Sequence, residues 1–289
     1  MMRRTPRPLE RLMGLFFSAC GLTAVAFVLL ISLYLILAGV PALRETGLPD
    51  FLLGRQWSPT AQRPEFGIAP FLLTSVYGAA GAVLLGAPIG LLCAVFLAKT
   101  APPRLAAAVR PAVELLSGIP SVVYGLVGML VLVPAVRRCF RLPDGAGLFS
   151  AILVLAVMIL PSIVSVSEAA LRAVPPEYEA ASLALGATQI ETVFRVTLPA
   201  ASGGVAASVV LGVGRAIGEA MAVLMVAGNA ANMPSLFKSV KFLTTAIASE
   251  MSYSSGLHRQ ALFSIALVLF FFIMLVNVLL NRLLKRKGG

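Results

Sequence analysis

Apolar positions along this chain fall in long unbroken runs, and the polar positions collect between them. Six runs reach the roughly 20 residues needed to cross a hydrocarbon core, at 14–39, 70–98, 111–136, 147–170, 200–228 and 260–281. They predict an all-α polytopic membrane protein with six transmembrane helices, because a bilayer leaves no water to satisfy a backbone that is not helical. The first run follows Arg3, Arg4, Arg7 and Arg11 as the core of a signal peptide would. Its apolar stretch is too long for a cleavable segment, so it is expected to stay as a helix. The chain then divides into an N-terminal segment 1–13, one transmembrane domain 14–281 and a basic tail 282–289.

Charge sets the expected orientation. The segments 1–13, 99–110, 171–199 and 282–289 carry 13 Lys and Arg, against 9 on the opposite side. This predicts both termini in the cytoplasm, helped by Arg282, Lys285, Arg286 and Lys287 beside the last span. The net charge of +11 then calls for no nucleic acid, since anionic lipid headgroups are a sufficient partner. A composition of 59% hydrophobic and 12% charged residues exceeds what a soluble core can bury. Cys20, Cys93 and Cys139 have no paired spacing and His258 is the lone histidine, so no disulfide framework, metal site or cofactor is expected.

Two charges stand out in the fifth run: Arg215 and Glu219, four residues apart in VVLGVGRAIGEAMAV. Each costs about 2.5 to 3.5 kcal/mol at the centre of a membrane helix unless it is paired or faces a polar cavity. On a continuous helix the two share a face and predict an ion pair. That pair either offers an anion a foothold on a transport path or fixes helix register. Arginine suits an oxyanion because its rigid fork of donors matches two oxygens. Gly214 and Gly218 have the spacing that admits a close neighbouring helix. Runs three and four share an echo, Ile119-Pro120-Ser121 and Leu160-Pro161-Ser162, which marks either Pro-interrupted helices along the path or simple kinks. Ser121 and Ser162 are the candidate path-lining hydroxyls. Glu114 is placed to pair with Arg110 at i−4.

Residues 171–199 are too polar to span. Glu177–Leu185 suits a short helix, Gly186 a left-handed stop, and Thr188 with Glu191 has capping-box spacing for a second helix. Ala180, Ala181, Leu183, Ala184, Val193 and Phe194 need cover, from the bundle or from another protein. The outer segments 40–69 and 229–259 are connectors or a receiving surface, and Trp57 suits a membrane interface.

Glu179-Ala180-Ala181, Gly186 and Val196-Thr197-Leu198-Pro199 resemble the EAA loop of type I ABC importer permeases, the segment that docks on an ATPase. The glutamate stands one residue further from Gly186 than is usual, with Ala180 at the customary acidic position; one residue turns a side chain by about 100° on a helix. FGIAPFLLTSVYG, VELLSGIPSVVYG, VMILPSIVSVSEAALRAVP and GRAIGEAMAVLMVAGN resemble, in that order, the phosphate-specific permeases, nearer their C-type subunit than their A-type partner. Ala220 replaces a usual threonine. The resemblance implies a MetI-like permease fold in a bacterial plasma (inner) membrane. It further implies an A-type permease partner, two copies of an ABC ATPase and an external phosphate-binding protein, with Arg215 and Glu219 on the path. No GxxxxGK[ST] motif occurs, so the expectation is a transport subunit whose ATP is hydrolysed on a partner. Arginine chemistry alone equally allows sulfate or molybdate, and an ion-gradient transporter would instead use Glu219 as a proton carrier. An intramembrane enzyme finds no nucleophile and base near Arg215.

Overall fold

The computed structural model describes residues 8–285. The expected basic residues Arg3, Arg4, Arg7, Arg286 and Lys287 lie outside the described residues. Helix α1 (Pro8–Thr46) leads into the short α2 (Leu48–Leu53) and a two-stranded antiparallel hairpin, β1 (Trp57–Ser58) and β2 (Glu65–Phe66), with Trp57 opposite Phe66. Then come α3 (Ala69–Val95), a π turn Phe96–Thr100, α4 (Pro103–Gly118), α5 (Ser121–Val127), a π turn Gly128–Leu132 and α6 (Val133–Phe140). The second half comprises α7 (Leu148–Arg172), α8 (Pro176–Ala184), α9 (Gln189–Thr192), a π turn Val193–Thr197 and α10 (Leu198–Ala200). It closes with α11 (Ser202–Gly218), α12 (Met221–Val226), α13 (Leu243–Glu250) and α14 (Gly256–Lys285).

Five helical runs among the described residues are long and apolar enough to cross a membrane, and the pair Gln189–Ala200 with Ser202–Gly218, bent by 72°, makes a sixth when counted as one broken span. The six-span expectation holds with two corrections. The run 111–136 is not one helix: α4 stops at Gly118 and α5 starts at Ser121, so the membrane-length element is Ser121–Phe140. Pro120 offers no N–H to the ladder and drives Ile119 to extended backbone, ψ 127°. The matching Pro161 interrupts nothing, because α7 is packed on both sides and stays helical through it. The run 200–228 also breaks, at Glu219, whose backbone is extended at φ −72°, ψ 128°.

Helix α7 is the centre of the bundle. Ala151, Leu155, Ile159 and Ile163 are fully or almost fully buried, facing α3 on one side and α11 on the other. Glycines make these approaches possible: a Cβ at Gly86 would lie 2.9 Å from Ile159 and one at Gly90 2.9 Å from Ile163. Helix α1 is exposed over most of its length and is held near its far end, where Gly39 lets it approach α14 and Ser264 Oγ donates to Gly39 O at 2.6 Å. Trp57, expected at a membrane interface, is instead buried in a second core with Phe51, Phe66, Phe71 and Leu262 at the hairpin end of the bundle.

Candidate translocation site and coupling segment

Arg215 ends up in the last turn of α11, half-buried, with Nη1 donating to Ser162 Oγ of α7 at 3.5 Å. The two central helices therefore bring together two of the residues that sequence pattern singled out. The predicted ion pair is absent: no salt bridge joins Arg215 to Glu219 among the described residues. An i, i+4 pair needs continuous helix, and the helix ends before Glu219. The Glu219 carboxylate instead accepts the Ala222 N–H at 3.0 Å, satisfying an orphan donor at the start of α12, while its carbonyl accepts Thr244 Oγ1 at 2.7 Å. Ser121 opens α5, half-buried, and among the described residues no hydrogen bond ties it to Arg215.

The small-residue expectation is also revised. A Cβ at Gly214 or Gly218 would meet nothing within 4 Å, so this face of α11 is open; the glycine that admits α7 is Gly212, 3.1 Å from Ile163. Arg215 and an uncovered small-residue face thus lie on the same helix.

Residues 176–192 form the predicted helix, glycine turn and helix. Gly186 has φ +87°, and Thr188 caps α9 in a complete capping box with Glu191. The Thr188 N–H and hydroxyl both donate to the Glu191 carboxylate at 3.0 Å. Of the apolar positions needing cover only Val193 is buried; Ala180, Ala181, Leu183, Ala184 and Phe194 are exposed, along with Leu185 at 90% and Ile190 at 71%. Glu179 turns back into the chain, bridging to Lys99 at 2.5 Å and accepting Thr197 Oγ1 at 3.0 Å. Leu198 and Pro199 open α10, with Leu198 packed on the small core of Ala94, Leu171 and Val193.

The family described as "Binding-protein-dependent transport system inner membrane component" matches residues 86–288. The chain belongs to that family. Among its relatives, a probable ABC transporter permease of Bacillus subtilis is 37% identical over 96% of this chain and 94% of its own length. The phosphate transport system permease protein PstC of Haemophilus influenzae is 35% identical, covering 82% of this chain and 81% of that one. Two solved transporters share the fold: a methionine ABC transporter in inward-facing conformations (TM-score 0.61, 22% identity, 77% of this chain and 98% of that one) and an alginate ABC transporter (TM-score 0.64, 16% identity, 98% and 99%). The chain is thus a multi-pass inner membrane transport component.

Sequence reading missed two clusters in this family member. At the hairpin end, the buried Glu250 carboxylate takes Trp57 Nε1 at 3.0 Å, lies 2.8 Å from His258 Nε2 and pairs with Lys241. At the α8 end, Arg110 does not pair with Glu114; its Nε donates to Glu168 at 2.6 Å, and Arg172 shares the same oxygen at 2.9 Å. Only the contact of Arg172 with Glu168, at i, i+4, had a local signal.

Proposed function

We propose that this chain is the channel-forming subunit of an ATP-driven importer that passes inorganic phosphate from an external binding protein to the cytoplasm. The observation that carries this is Arg215: a half-buried guanidinium at the end of the apolar helix α11, held by a neutral serine and without a carboxylate partner among the described residues, in a chain whose relatives include PstC proteins. A cation in that position costs several kcal/mol unless an anion or water reaches it. Its remaining donors suit two oxygens of one phosphate. Ser162 orients the fork, and Glu219 shapes the break that ends α11 beside it; Ser121 lies on the same path.

The exposed face of α8 and α9, with Ala180, Ala181 and the Gly186 turn, docks on an ABC ATPase. Glu179 and Leu198 fix that segment to the bundle, and Pro199 follows them at the start of α10. The complete importer pairs this chain with an A-type permease over the open Gly214 and Gly218 face, and uses two ATPase copies. The chain itself carries no GxxxxGK[ST] motif, so hydrolysis belongs to the partner. Both termini and the α8 end face the cytoplasm of a bacterium, and the hairpin end faces the binding protein.

Uptake by assembled complexes tests this. Arg215→Lys replaces a planar fork by a point charge and is expected to cut phosphate uptake at least about tenfold, the cost of one lost charge-assisted hydrogen bond. Glu219→Gln keeps an acceptor for Ala222 and is expected to lose less. Full uptake by Arg215→Lys would remove the residue from the path, and preference for sulfate or molybdate in competition would change the cargo.

A further inference from the structure

The inner end of α3 is built around one carbonyl that the helix cannot satisfy. In the π turn Phe96–Thr100 the Ala101 N–H bonds to Phe96 O at 2.7 Å, so it is no longer free for Leu97 O. The next donor in that register would be residue 102, a proline with no N–H. Leu97 O is therefore left to other partners, and two arginines take it: Arg110 Nη2 of α4 at 3.2 Å and Arg172 Nη2 of α7 at 3.0 Å. Both guanidiniums also converge on one oxygen of Glu168. Two residues along the same turn, Lys99 reaches Glu179 of α8, and its carbonyl accepts Gln189 Nε2 of α9 at 3.3 Å.

Helix α4 depends on this joint. Ala106 is its one buried residue and only Val109 and Val113 add partly buried packing on Leu97 and Val164, so the polar contacts at this joint supplement a small apolar patch. Beyond the break at Ile119 and Pro120, Tyr124 of α5 donates back to Leu116 O of α4 at 2.7 Å. Helix α5 in turn packs on α12 where Gly125 faces Ala222, the residue whose N–H the Glu219 carboxylate accepts. A chain of contacts thus runs from the α8–α9 segment to the helix breaks near Arg215.

We propose that Glu168, with the Leu97 carbonyl and Lys99, is the joint that transmits movement of the ATPase-docking segment to α4, and through α4 to the helices at Arg215. Glu168 is a positioning residue and touches no substrate. Four elements turn together while its carboxylate holds both guanidiniums, and α4 is released from the docking segment when those contacts are broken. The inference rests on reading α8 and α9 as the docking segment.

The test uses the whole importer in liposomes with its phosphate-loaded binding protein, reading phosphate taken up per ATP hydrolysed. Assembled Glu168→Gln is expected to lose at least about fivefold in uptake per ATP, the lower bound of ordinary coupling between sites. Lys99→Glu sets two carboxylates against each other and is expected to lose a similar amount. Adding Glu179→Lys restores the attraction with reversed sign and should return the ratio to within about twofold of wild type. Wild-type ratios in Glu168→Gln, or no recovery in the charge-swapped protein, overturn the proposal. If Glu168→Gln does not assemble, the exchange of Lys99 and Glu179 decides by itself, recovery supporting the joint and its failure overturning it. A wild-type importer whose ATPase ignores the phosphate-loaded binding protein would count against the proposed function itself, before any variant is compared.

Discussion

Replacing Glu250 by glutamine should loosen the hairpin end of the protein. Glu250 is 4% exposed and its carboxylate joins four elements: the hairpin through Trp57, the segment before α13 through Lys241, α13 itself and α14 through His258. The Lys241 side chain is only 12% exposed, so removing its counterion leaves a buried unpaired charge, a loss of about 3 to 5 kcal/mol. Glutamine keeps one acceptor oxygen, which favours the lower end, about 3 kcal/mol or roughly a hundredfold in the unfolding equilibrium. For a chain of this length that corresponds to a melting temperature lower by about 6 °C. Trp57 is the single tryptophan and belongs to the cluster, so its fluorescence during thermal unfolding in detergent reads this region directly. A second substitution, Lys241→Met, removes the stranded charge and should recover most of the loss. The pH arm has a definite sign. Burial alone would raise the Glu250 carboxyl, but hydrogen bonds from Lys241 and His258, the Lys241 charge and the Trp57 indole outweigh it and hold it below the usual range. A carboxyl depressed in the folded state stabilises above its unfolded value, about 4.3, and that contribution disappears as pH falls through the folded value. Wild type and Glu250→Gln should therefore differ at neutral pH and converge in acid. A melting temperature for Glu250→Gln within about 1 °C of wild type at neutral pH would refute the reasoning, since that bounds the contribution below about 0.5 kcal/mol.

Gly125→Ala should cost about 1 to 3 kcal/mol and reduce uptake, because the new Cβ would lie 2.8 Å from the Ala222 Cα and backbone must move. Gly214→Ala has open space in this chain and should leave the isolated subunit as stable as wild type; failure to co-purify with a second permease subunit would map that subunit onto this face. Thr188→Ala removes the α9 cap, worth about 1 kcal/mol, and should speed amide exchange over residues 188–192 with the spans unchanged; unchanged exchange would argue against the cap.

Sequence alone determined the features that depend on neighbours along the chain. Apolar runs of about 20 residues became helices because only a helix satisfies the backbone of one such run within itself, and the Gly186 turn and Thr188 cap formed because a left-handed glycine and an i, i+3 capping pair need only local geometry. Tertiary structure decided whether local preferences were obeyed. Pro120 and Pro161 sit in nearly identical sequence, yet one ends a helix on a thinly covered flank while the other stays helical because α3 and α11 hold α7 on both sides. Arg215 and Glu219 pair only on a continuous helix; with the break at Glu219, one side chain meets Ser162 and the other the Ala222 N–H of α12. Trp57 and Glu250 lie 193 residues apart, and Arg110 and Glu168 58 apart, so only the packed bundle could bring those charges and donors within reach.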